Sequence, residues 1–346
     1  MPTFHFISGL PRSGSTLLAA LLRQNPRFHA GMTSPVGSLF SALLGQFSAG
    51  SEFGPVITQE QRKRLLAGLF SNYYAEQTGK DIVFDTNRQW CAKLPALMDL
   101  FPQAKVIACV RNVAWVMDSI ERLYRANPYE NTKLFGDDVE RNTVYSRVDT
   151  LAQRNRLVGF AWAALKESYY GEHAKSLLLV EYDLLAATPE KVLRLVYDFL
   201  EEPWFEHDFE HIEYDAPEFD HALGLKGLHK VRPKVEVEAR RTILPPDLFG
   251  WRQKGIPVDL RYRYTPRPNA DKSTLNINAN QQFLRALPLR TVSHEEPGVL
   301  DRLAAATLPT GETVPAREQF RLPLFKLPAQ TQLQFHYFHD VVKEGA

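Results

Sequence analysis

Over its first two-thirds the chain alternates short apolar runs with amphipathic stretches. Phe4–Ser8 reads as a strand, and Ser15–Gln24 as a helix with Leu17, Leu18, Leu21 and Leu22 on one face. Thr58 and Gln61 have the spacing of a capping box, predicting a helix from there that Gly79 closes. Ile82–Phe84 reads as a strand, Cys91–Leu100 as a helix, the β-branched run Lys105–Val110 as a buried strand and Val113–Ala126 as a helix. Asp149–Tyr170 reads as one long amphipathic helix and Leu177–Glu181 as another buried strand. Thr188 then stands as the cap of a helix with Pro189 at its first position, ending near Glu202. This alternation predicts an α/β fold of three layers, with a central parallel sheet and helices on both faces.

After Gly255 the texture changes. Eleven of the 23 prolines lie beyond residue 240, helical periodicity fades, and Thr331–Tyr337 alternates like a strand. Two domains are therefore expected: residues 1–255, and a C-terminal extension, 256–346, rich in β-structure and loops.

Composition narrows the function classes. The 346 residues are 44% hydrophobic and 23% charged, as in a globular protein with a sizeable core. The formal net charge of +1 argues against holding long nucleic acid by bulk charge, so an anion site has to be a local cluster. Two cysteines, Cys91 and Cys109, imply no disulfide framework. No apolar stretch approaches the ~20 residues of a membrane span, and the chain leads directly into a strand without a signal peptide. A cytoplasmic protein is the expectation, with a homodimer compatible.

The sharpest feature is Gly9-Leu10-Pro11-Arg12-Ser13-Gly14-Ser15-Thr16, between the first strand and the first helix. It has the glycines and final threonine of a P-loop, but Ser15 stands where the lysine belongs and Arg12 supplies the cation. Successive amides and a helix N-terminus at this place suit a phosphate. A planar guanidinium adds a bidentate fork. The later buried strand ends in Arg111 where a nucleoside triphosphatase would offer a magnesium-holding aspartate. This departs from the pattern of a P-loop kinase and points to a ligand with a second anionic group.

The run Pro11-Arg12-Ser13-Gly14-Ser15-Thr16 resembles the 5′-phosphosulfate loop of sulfotransferases that use 3′-phosphoadenosine 5′-phosphosulfate (PAPS). Its arginine is similar to that of the tyrosylprotein, carbohydrate and bacterial branches. The family's second signature, a strand-end arginine followed eight positions on by serine, is matched by Arg111 and Ser119. Weaker matches are Phe101-Pro102-Gln103-Ala104-Lys105, Val180-Glu181-Tyr182-Asp183 and the late basic loop Gly227-Leu228-His229-Lys230-Val231-Arg232-Pro233. The resemblance implies a P-loop-like fold over residues 1–255 and PAPS as donor, with adenosine 3′,5′-bisphosphate as product. It implies cofactor contacts from Arg12, Ser13, Gly14, Ser15, Thr16, Arg111, Ser119, Tyr182, Lys230 and Arg232.

Transfer of a sulfuryl group needs in-line geometry, positive charge at the bridging oxygen and a base for the acceptor hydroxyl. It needs no metal, and none is expected. The glutamate base of the tyrosylprotein branch has no counterpart in Gly31-Met32-Thr33-Ser34-Pro35, and Thr86 stands near its lysine position. Arg12 and Arg88 are the candidate catalytic cations, and Asp85 and His29 the candidate bases. The acceptor is a hydroxyl of a carbohydrate, small metabolite or peptide tyrosine. Its walls are expected in loops 33–53 and 127–145, and Trp90, Tyr73 and Tyr74 serve there or in the core. The alternatives are a non-catalytic nucleotide-binding module and, more remotely, a P-loop kinase. His207 and His211 have the spacing of a helical zinc pair but no evident third ligand.

Overall fold

In the computed structural model, residues 2–48, 50–237 and 241–249 are described. The expected β-rich extension therefore lies outside the described residues. Five strands form one sheet: β1 (Thr3–Gly9), β2 (Phe28–Thr33), β3 (Ile82–Thr86), β4 (Val106–Val110) and β5 (Leu177–Glu181). Their order is β2-β3-β1-β4-β5 and every pairing is parallel. The helices are α1 (Ser15–Leu22), α2 (Val36–Phe47), α3 (Gln59–Tyr73), α4 (Leu94–Leu100), α5 (Val113–Ala126), α6 (Asp138–Arg141), α7 (Val144–Ala152), α8 (Leu157–Tyr170), α9 (Tyr182–Ala187), α10 (Pro189–Leu200) and α11 (Pro217–Leu223).

Alternation along the strands splits the core in two. One face of the sheet carries Phe4, Phe6, Val83, Val106 and Ala108 against α2, α3, α4, α5, α7 and α8. Phe70 sits fully buried at its centre, within 5.2–6.1 Å of the rings of Phe4, Phe6, Phe40, Trp90 and Phe101. The other face carries Ile7, Phe84, Ile107, Cys109 and Val180 against α1, α9 and α10. With both faces covered, the strands read as nearly continuous apolar runs. The expected three-layer α/β fold is what forms. No helix among the described residues is long and apolar enough to cross a membrane.

Several boundaries differ from the sequence pattern. β2 goes unpredicted because Phe28-His29-Ala30-Gly31-Met32-Thr33 mixes polar and small residues at a sheet edge. The stretch 33–53 is largely helix α2, not a loop. The Thr58 capping box forms as predicted, but α3 stops at Tyr73, because Tyr74 turns into the core to reach Asp85. The long helix expected over 149–170 is broken into α7 and α8, since Gln153-Arg154-Asn155-Arg156 offers no apolar face to the core. Cys91–Lys93 is a 3₁₀ turn ahead of α4. Thr188 holds the cap position of α10, yet its hydroxyl donates to the Leu184 carbonyl instead of capping.

The topology creates the opening. β1 and β4 are neighbours, but α1 leaves β1 toward one face and α5 leaves β4 toward the other. A crevice opens where such connections diverge, at the C-terminal ends of the strands.

Candidate anion-binding active site

The loop after β1 is shaped by its contact with β4. Gly9 has φ +104°, and a β-carbon there would sit 2.1 Å from the Cys109 carbonyl oxygen, so only glycine fits. The Leu10 amide and the Ser13 hydroxyl both donate to that carbonyl, each at 2.8 Å. Arg12 adopts φ +57° and Gly14 φ +91°. A left-handed conformation costs a non-glycine residue on the order of 1 kcal/mol, which the fixed loop has to hold. Helix α1 begins with Leu18 N–H donating to Gly14. The amides of Ser13 to Leu17 and the hydroxyls of Ser15 and Thr16 have no protein acceptor among the described residues. Such a row of free donors at a helix N-terminus suits an anion.

Three other predicted residues, Ser119, Tyr182 and Arg111, gather around this loop. Arg12 donates from Nε to the buried Ser119 hydroxyl at 3.1 Å, and from its terminal nitrogen to the Leu228 carbonyl. Tyr182, the residue after β5, lies against Gly14, where an added β-carbon would be 2.7 Å from its ring. The Arg111 guanidinium stacks 4.1 Å above the same ring. Asp183 takes one weak contact from Arg111 at 3.4 Å, while the buried Arg111 Nε has no partner. An unpaired buried donor on an arginine is costly; Arg62, Arg141 and Arg156 have an unpaired Nε as well, and what sets Arg111 apart is its place beside Tyr182 and Gly14. Lys230 and Arg232 are exposed on the segment whose Leu228 touches Arg12. The neighbouring Lys226 and Lys234 pair with Glu130 and Glu210.

The candidate bases are placed differently. Asp85 is fully buried and accepts three hydrogen bonds, from Ser34 (2.6 Å), Tyr74 (2.7 Å) and the Trp90 indole (2.7 Å). Burial raises its pKa, against the pull of those donors. It is sealed from solvent and closed off from an acceptor. Trp90 and Tyr74 thus serve the core, as that reading of them held. His29 pairs in register with Val83, and Val83 with Phe4, five residues before Gly9. At ~3.3 Å per residue this is roughly 16 Å below the loop, toward the opposite end of the sheet. The structure does not bring His29 to the crevice. Arg88 does stand near it, two residues beyond β3, whose Asn87 amide donates to the Ile7 carbonyl. Arg88 is exposed, yet desolvation by the surrounding protein lowers its pKa. It has no hydrogen-bond or ion-pair partner among the described residues.

Histidines 207 and 211 do not converge. His207 is buried on the Tyr197 hydroxyl at 3.0 Å, while exposed His211 contacts Asp208 at 2.9 Å. The residues that sequence reasoning missed lie in the segment after α10. Tyr214 takes the Met32 amide on its hydroxyl, and Asp220 anchors His229. Their only signal was a carboxylate and an aromatic in an otherwise featureless proline-flanked stretch.

The model of the "Sulfotransferase family" matches residues 5–206, more than half of the chain. The protein belongs to the sulfotransferase family. A second model, "Cellulose synthase BcsB, second CBM domain", matches residues 228–346. Among curated relatives, the "Cyclic di-GMP-binding protein" of Xanthomonas axonopodis pv. citri is 40% identical over 120 residues, 34% of this chain and 14% of its own length. Its namesake in Pseudomonas fluorescens is 38% identical over 104 residues, 30% of this chain and 13% of its own. The chain thus spans about a seventh of the curated relatives it matches. Among solved structures, the sulfotransferase domain of the curacin biosynthetic pathway aligns over 82% of this chain and 98% of its own, at 16% identity and TM-score 0.43. That of the Synechococcus PCC 7002 olefin synthase aligns over 83% and 96%, at 20% identity and TM-score 0.38.

Proposed function

We propose that this chain transfers a sulfuryl group from PAPS to a carbohydrate hydroxyl. The carrying observation is the convergence at one crevice of Arg12, the free amides of Ser13 to Leu17, Ser119, Tyr182 and the unpaired Nε of Arg111. PAPS supplies the sulfuryl group and a bridging oxygen that takes up charge as transfer proceeds. On this reading Arg12 and the loop amides neutralise that end of the donor, while Arg111 and Ser119 hold the 3′-phosphate and Tyr182 forms a wall. Arg88 adds positive charge on the β3 side. Asp85 is a positioning residue that ties Ser34, Tyr74 and Trp90 beneath the crevice floor.

A carbohydrate acceptor is favoured by the match of residues 228–346 to a CBM, a carbohydrate-binding module, of a cellulose synthase subunit. We place the boundary between the two units near residue 255. Ile243 and Thr242 hydrogen-bond to Asp118 of α5, and Phe249 packs on Trp115 at 5.0 Å, which supports counting residues up to 249 with the first unit although the second family match begins at residue 228.

The test uses the full chain with labelled PAPS and three acceptors: a cello-oligosaccharide, a tyrosine peptide and a simple phenol. Turnover on the oligosaccharide that disappears in Arg12→Ala supports the proposal. Turnover on another acceptor keeps the donor and overturns the acceptor class. A second reading, a non-catalytic nucleotide-binding module, draws on the relatives named cyclic di-GMP-binding proteins. It predicts thermal stabilisation by cyclic di-GMP without turnover on any hydroxyl.

A further inference from the structure

The segment from Gly224 to Pro233 crosses the mouth of the crevice. On one side the end of α11 is fastened behind α5: the Leu223 carbonyl accepts from the Lys133 amide at 3.3 Å and the Thr132 hydroxyl at 3.2 Å. On the other side the Val231 amide donates to the Tyr214 carbonyl at 3.0 Å, and the Tyr214 hydroxyl accepts from Met32 on β2, the sheet edge. Between these moorings the Leu228 carbonyl reaches Arg12. The segment is therefore a strap running from the α5 side to β2 above the phosphate loop.

What sets its middle is a carboxylate. Asp220 is fully buried, and its two oxygens take the His229 amide at 2.9 Å and the His229 ring Nδ1 at 2.5 Å. The α11 turn completes the loop, with Leu225 N–H returning to the Asp220 carbonyl at 3.0 Å. A buried carboxylate whose partners are one residue's amide and ring fixes both the path and the twist of the chain there. The residue so fixed is the neighbour of Leu228.

We propose that Asp220 and His229 are a positioning pair for the donor site: they hold the strap so that Leu228 keeps the Arg12 guanidinium turned to the crevice. The proposal rests on the PAPS reading for its ligand arm, but the strap itself is testable without ligand. His229→Ala removes the ring contact, and His229→Asn keeps a donor for Asp220. Tryptic cleavage after the exposed Lys230 is followed by mass spectrometry on the full chain, beside stabilisation by adenosine 3′,5′-bisphosphate. The cut bond involves the Val231 amide, which is hydrogen-bonded and has to open first.

Loss of a hydrogen bond to a buried charge is expected to speed cleavage roughly tenfold in His229→Ala and to weaken the bisphosphate by a similar factor. The melting temperature is expected to fall by only a few degrees, and His229→Asn to restore the cleavage rate and the affinity. Unchanged cleavage in a folded His229→Ala overturns the pair. So does an equal defect in His229→Asn. A wild type that ignores the bisphosphate overturns the PAPS reading instead, and the ligand-free cleavage rates still decide the strap.

Discussion

At the scale of single residues the candidate site depends on glycines where an added side chain has no room. Gly14 combines a left-handed backbone with a tyrosine ring where a β-carbon would go. Gly14→Ala is expected to lower stability by about 1–3 kcal/mol and to abolish stabilisation by adenosine 3′,5′-bisphosphate, both read from melting curves. Asp85 is the opposite case, a charge placed for structure. Asp85→Ala leaves the Ser34, Tyr74 and Trp90 donors unpaired and is expected to cost on the order of 3 kcal/mol in urea unfolding. His5 gives the fold an acid limit. Burial and nearby Lys105 lower its pKa to about 4, from 6.5, while its Nδ1 accepts the Lys105 amide. A histidine that stays neutral in the native state contributes stability that is present above pH 6.5 and is lost as pH falls toward 4. The urea midpoint is expected to drop over that window by an amount worth on the order of 3 kcal/mol, and less steeply in His5→Gln.

At the scale of elements, α5 carries the most. Asn112 caps it by accepting from the Ala114 amide, so Asn112→Ala is expected to cost about 1 kcal/mol. Buried Glu121 receives both Arg147 of α7, through two nitrogens, and Arg125. Glu121→Ala strands a buried guanidinium and is expected to cost roughly 3 kcal/mol, measured by chemical denaturation. Which elements the sequence discloses follows from how each is stabilised. The loop after β1 and the Arg111–Ser119 spacing are legible because backbone geometry and the anion proposed for them allow few residue types there. Strands β1, β3, β4 and β5 are legible because burial on two faces demands apolar runs. β2 is not, since an edge strand is held by its pairing with β3 and by Tyr214, far along the chain. The roles of Asp85 and His29 are equally hidden, because strand register, not residue type, decides whether a carboxylate is sealed or a histidine is remote.

At the scale of the whole molecule the crevice is closed by segments distant in sequence. Residues 242–249 dock on α5 through Asp118 and Trp115, so a chain ending at 255 is expected to keep the melting transition of the first unit, and one ending at 227 to lose it. Ligand binding to the native state raises stability by mass action: adenosine 3′,5′-bisphosphate at a hundredfold excess over its dissociation constant is expected to add about 2.7 kcal/mol, and nothing in Arg111→Ala. The pairing of Gly9 with Cys109 then has a consequence for selectivity. The loop springs from one strand and Arg111 from the other, so on the proposed PAPS reading the sheet acts as a ruler between two anion seats. A ligand is measured by the distance between its phosphates and not by their number. The proposal therefore predicts that nucleotides bearing charge at both ends of the ribose span the gauge, whereas a triphosphate, with all its charge in one tail, fills one seat and leaves the other bare.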